Sequence, residues 1–500
     1  MKLHLDINIS RKRVCAIILI LVMVAGSTFA GFQLGKAQSS PSSNFTISSG
    51  VYPGAPTYTI WTNGTYCYAK DAYGSIDYQG VNAGTVIQNA FNNPPTTGIN
   101  NVLLIGAFTL TLASGQTYAL NVPSNTTFEI DGKLTMANAY SATNAQFIQV
   151  VNRQNVEIFG GQGELDGNGI NQASGSEMLS GIFVSGSTNV KIHDLYGHNF
   201  GYTQCNGWVI NLGYGTQNFT IYNMICENCG TDGIALNNAA YGKVNNCQLD
   251  YNARYDTGGN GIWINSDHIV VSNIIGHYNG WGTVRVEAFD QSRSDVTLSN
   301  IQSYYDSVVG ISIDKHASGS WTLSNVQLSN FYILGAGSTN NAGLEIVAPV
   351  AGQVFGITIS NGKIDNSAGY GIHLSDVSDI SIVAVDVSFS WYDGLSASSV
   401  TRLQVTSGVY TNNGLSGLYT ASGLTLSSVT QSTISGVYAY DYGSPAKEAW
   451  GLREIDSSSV NIITGCNFNS PGTSGGISTV SAFTHVIATW NSTSWISAYP

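Results

Sequence analysis

Between Gly207 and Ser375 the chain repeats one short phrase in which apolar positions alternate with variable ones. It reads Gly207-Trp-Val-Ile-Asn211, Gly233-Ile-Ala-Leu-Asn237, Gly261-Ile-Trp-Ile-Asn265, Gly282-Thr-Val-Arg-Val-Glu287, Gly310-Ile-Ser-Ile-Asp314, Gly343-Leu-Glu-Ile-Val347 and Gly371-Ile-His-Leu-Ser375. A period of two predicts a strand with one buried face. The recurrence, roughly every 20 to 35 residues, matches one coil of a solenoid whose repeats pack only on their neighbours. A second alternating phrase interleaves with the first, at Asn189-Val-Lys-Ile192, Asn218-Phe-Thr-Ile221, His268-Ile-Val-Val271, Asp295-Val-Thr-Leu298, Trp321-Thr-Leu323 and Asp379-Ile-Ser-Ile382. Each coil therefore carries at least two strands. A third position closes each coil with Asn199, Asn228, Tyr251, Tyr278, Tyr305, Asn330, Asn366, Phe389 and Asn412. Stacking at about 4.8 Å would let these amides and rings meet their own kind, which predicts an all-β chain wound as a parallel β-helix.

Before the repeats, Thr57 to Tyr68 alternates around Asn63-Gly64, a hairpin signal. Val86, Ile87, Ala90 and Phe91 then fall at helical spacing, ended by Asn93-Pro-Pro95. A solenoid end must be covered, so the helix Gly84 to Asn92 is expected to cap the stack. The predicted organisation is residues 1–36 as a signal peptide or signal anchor, 37–50 as a linker, 51–100 as strand pair and capping helix, and 101–490 as the β-helix.

The export reading rests on Arg11-Lys-Arg13 before the uncharged run Val14 to Gly35. Cleavage near Ala30 would release the protein; an intact run would anchor it at the outer cell surface. Either way the membrane is met only through this segment. Composition agrees with an all-β chain, with 57 glycines and 10% charged residues among 500. Of 18 basic and 30 acidic side chains, five and one lie in the first 36 residues, leaving a surplus of 16 negative charges elsewhere. With no basic stripe, nucleic acid is not an expected partner. Cys226 and Cys229 form a Cys-x-x-Cys, but a zinc site needs four convergent ligands. A disulfide from Cys229 to Cys205 or Cys247 remains open outside the cytoplasm.

The run of hairpin, helix, Tyr118-Ala-Leu-Asn-Val-Pro-Ser-Asn-Thr-Thr127 and Gly161-Gln-Gly-Glu-Leu-Asp-Gly-Asn-Gly169 resembles the entry to the right-handed β-helix domain of the pectin-lyase-like superfamily. The resemblance covers about residues 50 to 490. It implies the fold and a single-stranded right-handed coil; that fold hosts lyases, hydrolases, epimerases and non-catalytic surface proteins. Polygalacturonases come nearest in phrasing, through Gly161-x-Gly-x-x-Asp-Gly-x-Gly169 and Thr231-Asp-Gly-Ile234. Their remaining hydrolytic positions fall here on Ala235, Gly259-Asn260 and Val309, so only Asp232 persists.

Chemistry is expected on the outward positions of the first strand. One row reads Phe183, Val209, Ala235, Trp263, Arg285, Ser312, Glu345, His373, Ser396, Tyr419; the second reads Ser185, Asn211, Asn237, Asn265, Glu287, Asp314, Val347, Ser375. Charge concentrates on four successive coils, at Arg285, Glu287, Asp314, Glu345 and His373, with Lys315 and His316 in the turn that follows. Three uses separate. A hydrolase would take Glu287 and Asp314 as its carboxyl pair. A uronate lyase or epimerase would neutralise a carboxylate with Ca²⁺ on Glu287, Asp314 and Glu345 or with Arg285, while Lys315 or His373 took the proton. A binding surface would need only Trp263, Asn265, Asp232 and Tyr419 against sugar rings and hydroxyls. The alternative is an ion-pair ladder without chemistry. The expected partner is a polysaccharide or cell-surface glycan, and the oligomeric state is not readable. His193, His198, His268 and His277 read as structural.

Overall fold

Each coil holds three strands, within the expectation of at least two. In one coil they are Gly207–Leu212, Gln217–Tyr222 and Ile225–Glu227; the next coil runs all three as one bent strand, Ile234–Asp250, in parallel register with Ile210↔Ile234, Ile221↔Val244 and Cys226↔Leu249. Repeated from Asn100 onward, these pairings build three parallel sheets around one core, a right-handed parallel β-helix. The computed structural model describes residues 56–94, 98–112, 116–138, 144–172, 178–256, 258–315, 319–338, 341–416, 421–442, 447–469, 475–481, 483–487, 489–491 and 494–496. The export segment and the linker lie outside these. Among the described residues no helix is long and apolar enough to cross a membrane.

The bends between strands come from single residues in the left-handed region. Asn218, Asn223 and Asn228 have φ of 54°, 53° and 54°, a conformation asparagine tolerates better than other side chains. Stacked coils then bring these amides together. Asn223 Nδ2 donates to Asp194 Oδ1 at 2.7 Å, Asn246 Nδ2 to Asn223 Oδ1 at 2.7 Å, and Asn300 Nδ2 to Asn273 Oδ1 at 3.0 Å.

At the position closing each coil, Tyr251, Tyr278 and Tyr305 stack with centroids 5.2 and 5.5 Å apart. Asn330 does not continue this row; it follows Ser329, whose partner Ser299 precedes Asn300, and so belongs to the middle bend. The place above Tyr305 is taken by Gly335 (φ 66°), where a Cβ would lie 2.5 Å from the Tyr305 ring. The count shifts because the second phrase of this coil is Asn325-Val-Gln-Leu328, paired with Asp295-Val-Thr-Leu298, and not Trp321-Thr-Leu323.

Inside, volume is matched between neighbours. Phe219 pairs with Gly242 and Phe331 with Gly362; a Cβ on Gly242 would meet Phe219 Cζ at 1.9 Å. A ring on one coil thus occupies space its neighbour leaves empty, keeping the core close-packed. All six cysteines from Cys67 to Cys466 are buried free thiols, so Cys229 is joined neither to Cys205 nor to Cys247.

The first end is closed by a hairpin and a helix. Tyr58–Thr62 and Cys67–Asp71 form the hairpin, a third antiparallel strand Ile76–Gly80 extends it, and Tyr58–Thr62 pairs in parallel with Asn100–Leu110. The helix Ala83–Asn92 starts on Asn82, whose Oδ1 accepts from Thr85 N at 3.0 Å. It buries Val86, Ile87, Ala90 and Phe91, the last edge-on to Phe128 at 5.0 Å. At the far end, Thr489–Asn491 turns back antiparallel to Ser494–Ile496.

Candidate functional site

The strand Val284–Ala288 alternates as its sequence requires: Val284 and Val286 are fully buried, and Arg285 and Glu287 point to the other side. It pairs with Ile311–Lys315 in the register Arg285↔Ser312 and Glu287↔Asp314. Register continues through Ser312↔Glu345, Glu345↔His373, His373↔Ser396, Ser396↔Thr425 and Thr425↔Arg453.

Two members of the expected row differ. Phe183 is followed by Asn211, which pairs with Ala235, while Val209 turns inward against Gly197, where a Cβ would come within 2.1 Å of its Cγ1. Thr425 takes the place given to Tyr419, which lies outside the described residues. Phrases were aligned on their glycines, whereas strand entry varies with the preceding loop.

Arg285 organises the charged centre. Its Nε donates to Asp314 Oδ2 and its Nη2 to Asp314 Oδ1, both at 2.9 Å, and Nη2 also reaches Glu287 Oε1 at 2.8 Å. Trp263 Nε1 donates to Glu287 Oε2 at 2.7 Å, and Ser312 Oγ donates to Asp314. The Trp281 ring lies 5.1 Å from the guanidinium carbon. With Glu287 and Asp314 almost buried, the two carboxylates hold the Arg285 pKa above its usual range despite burial. The guanidinium fills the place a Ca²⁺ would need between Glu287 and Asp314, so this pair does not fit a calcium cage.

Glu345 stands apart from that triad. Its Oε1 lies 3.4 Å from His373 Nδ1, and Tyr370 stacks on the imidazole at 5.3 Å. With side chains 13% and 24% exposed, this pair is reachable from solvent. One ring nitrogen faces a carboxylate and the other is left for a ligand, an arrangement suited to proton transfer.

The remaining expected residues serve the walls. Asn265 is fully buried, donating to Asn237 Oδ1 and Asp290 Oδ1 at 3.0 Å and accepting from Arg293 Nε at 2.7 Å. Arg293 also holds Asp267 and Asp290, at 3.1 and 3.0 Å. This brings the turn after Ala288 over the sheet, with Phe289 edge-on to Trp263 at 5.9 Å. Asp232 is 4% exposed and accepts from Trp208 Nε1 at 2.9 Å and Asn260 N at 2.7 Å. Burial pushes its pKa up to about 6 against those bonds and the Arg285 charge. Lys315 falls on the inward phase, paired with Ala288, and its Nζ donates to Gly319 O at 3.0 Å.

A second ionisable row runs along the third sheet through Asp166↔His198, His198↔Glu227, Glu227↔Asp250, Asp250↔His277 and His277↔Tyr304. Glu164, Asp166 and His198 offer ligand atoms within 4.8 Å of one another. The Lys133 ammonium already sits on both carboxylates, at 2.7 and 2.8 Å. Reading the sequence one residue before each closing Asn or Tyr would have exposed this row. Elsewhere, a polar cleft of about 390 Å³ opens beside the capping helix, lined by Gln88, Asn92, Gln116 and Asn121 among others.

These ladders define a right-handed parallel β-helix protein. Neither a family model nor a curated protein matches the chain by sequence. Among solved structures it is similar to the tailspike protein of E. coli bacteriophage HK620 in complex with pentasaccharide, with 11% identity over 83% of this chain and 79% of that chain and a TM-score of 0.61. The Azotobacter vinelandii mannuronan C-5 epimerase A-module is also matched, with 14% identity over 81% and 96% of the two chains and a TM-score of 0.44. The tailspike likeness shows the fold.

Proposed function

We propose that this is an extracellular carbohydrate-active β-helix protein that receives a polysaccharide along its first sheet. The carrying observation is that Trp263, Arg285, Glu345 and His373 stand in one row on that sheet, in a chain only 10% charged. The Glu345 and His373 pair is the proton-transfer element. Arg285, Glu287, Asp314 and Trp263 form a rigid platform beside it. The tailspike with its pentasaccharide supports the glycan reading through a shared fold.

A hydrolase acting through Glu287 and Asp314 is disfavoured, because one guanidinium is hydrogen-bonded to both carboxylates and occupies the space between them that a glycosidic bond would need. The same closed triad favours a second reading, a surface or adhesive β-helix that binds glycan without turnover. Incubation with a panel of uronates and neutral glycans, following reducing ends and the absorbance of unsaturated products, separates these readings. Turnover lost in His373→Asn supports the enzyme; binding without product supports the surface protein; neither binding nor product removes both.

A further inference from the structure

The cations of the first sheet are already committed. Arg285 is divided between Glu287 and Asp314, Arg293 between Asp267 and Asp290, and Lys315 is 5% exposed with its ammonium on the Gly319 carbonyl. Among the described residues between Trp263 and His373, the outward rows of the sheet therefore present three carboxylates, Glu287, Asp314 and Glu345, against one guanidinium, while the Lys315 ammonium is turned inward. Arg453, in the same row, lies three coils beyond His373, roughly 14 Å away at the spacing of stacked strands. It also acts on the buried Asp393 carboxyl.

We infer that the glycan accepted by this face is electrically neutral and that polyuronates are rejected. The inference rests on the proposed function and names its substrate class. Recognition of a uronate needs a cation with a free hydrogen-bonding edge, ideally the two-pronged edge of arginine. Here Arg285 spends its Nε and Nη2 edge on Asp314, and Nη2 also reaches Glu287. A uronate carboxylate entering beside Glu345 would meet like charge, and like charges brought together suppress the wrong partner. What the row does offer is neutral: Asn211 and Ser396 are a half-buried amide and hydroxyl, and Trp263 in the row and Tyr370 beside it are half-buried rings. Such groups meet the hydroxyls and apolar faces of uncharged sugars.

The test is affinity electrophoresis of the full chain at low ionic strength, where charge effects are least screened, in gels containing polygalacturonate, alginate, galactan, mannan or β-glucan. At least one neutral polymer should retard the protein, with uronates about tenfold weaker or undetectable. The double variant Glu287→Gln/Asp314→Asn frees the guanidinium and should raise uronate affinity about tenfold. Glu345→Gln, at the more exposed edge of the cluster, should raise it severalfold if the double variant does not fold. Uronate binding as tight as neutral binding would overturn this inference and leave the proposed function standing. Retardation by none of the polymers would overturn both. A folded variant that gains no uronate affinity also counts against the inference, as does neutral binding lost in Gln88→Ala but unchanged in Trp263→Ala, which would move the ligand to the cleft beside the helix.

Discussion

Arg285 grips Asp314 with two parallel hydrogen bonds of 2.9 Å across neighbouring coils, and the same guanidinium holds Glu287 on its own strand at 2.8 Å. The partners are almost inaccessible, their side chains 7% and 2% exposed. Replacing Arg285 with Met would leave two facing carboxylates without their counter-charge, and breaking such a pair costs about 3 kcal/mol or more. Urea denaturation at pH 7 should show that loss as a lowered midpoint. An unchanged midpoint would mean that the triad contributes nothing to holding these coils together.

Stability should also respond to pH through carboxyls far from that triad. Burial raises Asp232, Asp306 and Asp393 from 3.8 to about 6. A raised acid holds its proton more tightly in the folded state, so its contribution is full below about pH 4 and is lost as pH rises from about 4 to 6. Each should contribute about 1 to 3 kcal/mol across that window. Asp306 accepts from Thr283 Oγ1 at 2.6 Å, Ser303 Oγ at 2.7 Å and Asn279 N at 2.8 Å, and Asp306→Asn should flatten the slope. A denaturation midpoint that rises steadily from pH 4 to 7 would contradict the sign.

Gly242 should be intolerant of even one methyl. Gly242→Ala drives a carbon into the Phe219 ring, and overpacking of this kind costs about 1 to 3 kcal/mol. Phe219→Leu opens space on the facing coil, so the double variant should melt higher than Gly242→Ala alone. Additive losses would refute the complementarity.

Activity, if turnover is found, should depend on the exposed pair. Glu345→Gln and His373→Asn are each expected to lower kcat by about a hundredfold or more. Thermal midpoints should stay within about 2 °C, since neither side chain is buried. Wild-type rates in both variants would leave the face as a binding surface.

Much of the fold was legible because alternation and a recurring phrase report directly on strands and coils. Asn223 and Tyr278 mark bends whatever lies between them. Register is less legible: Val209 shifts because connections between the third strand of one coil and the first of the next vary in length, and Asn330 because the link from the first strand to the second is longer in its coil. The antiparallel strand Ile76–Gly80 escaped notice, having no buried residue to mark it. At the site, sequence brought Arg285, Glu287 and Asp314 together but could not say that the arginine would consume both carboxylates. Asn265 and Asp232 look like exposed polar groups in the sequence and are buried, since the turn after Ala288 and the Trp208 indole cover them.

The hydrogen bonds from Asn252 N to Asn279 Oδ1 and from Asn279 N to Asp306 Oδ1 each span 27 residues. One winding is therefore a heritable unit of length. Deleting residues 253–279 would hand Asn252 the partner that Asn279 now holds, with Tyr251 brought beside Tyr305. Duplicating the same stretch would lengthen the stack by one step without disturbing the capping helix. A lineage carrying this chain can change the reach of its surface in whole windings, while a gain or loss of a few residues inside a strand would turn core side chains out to water.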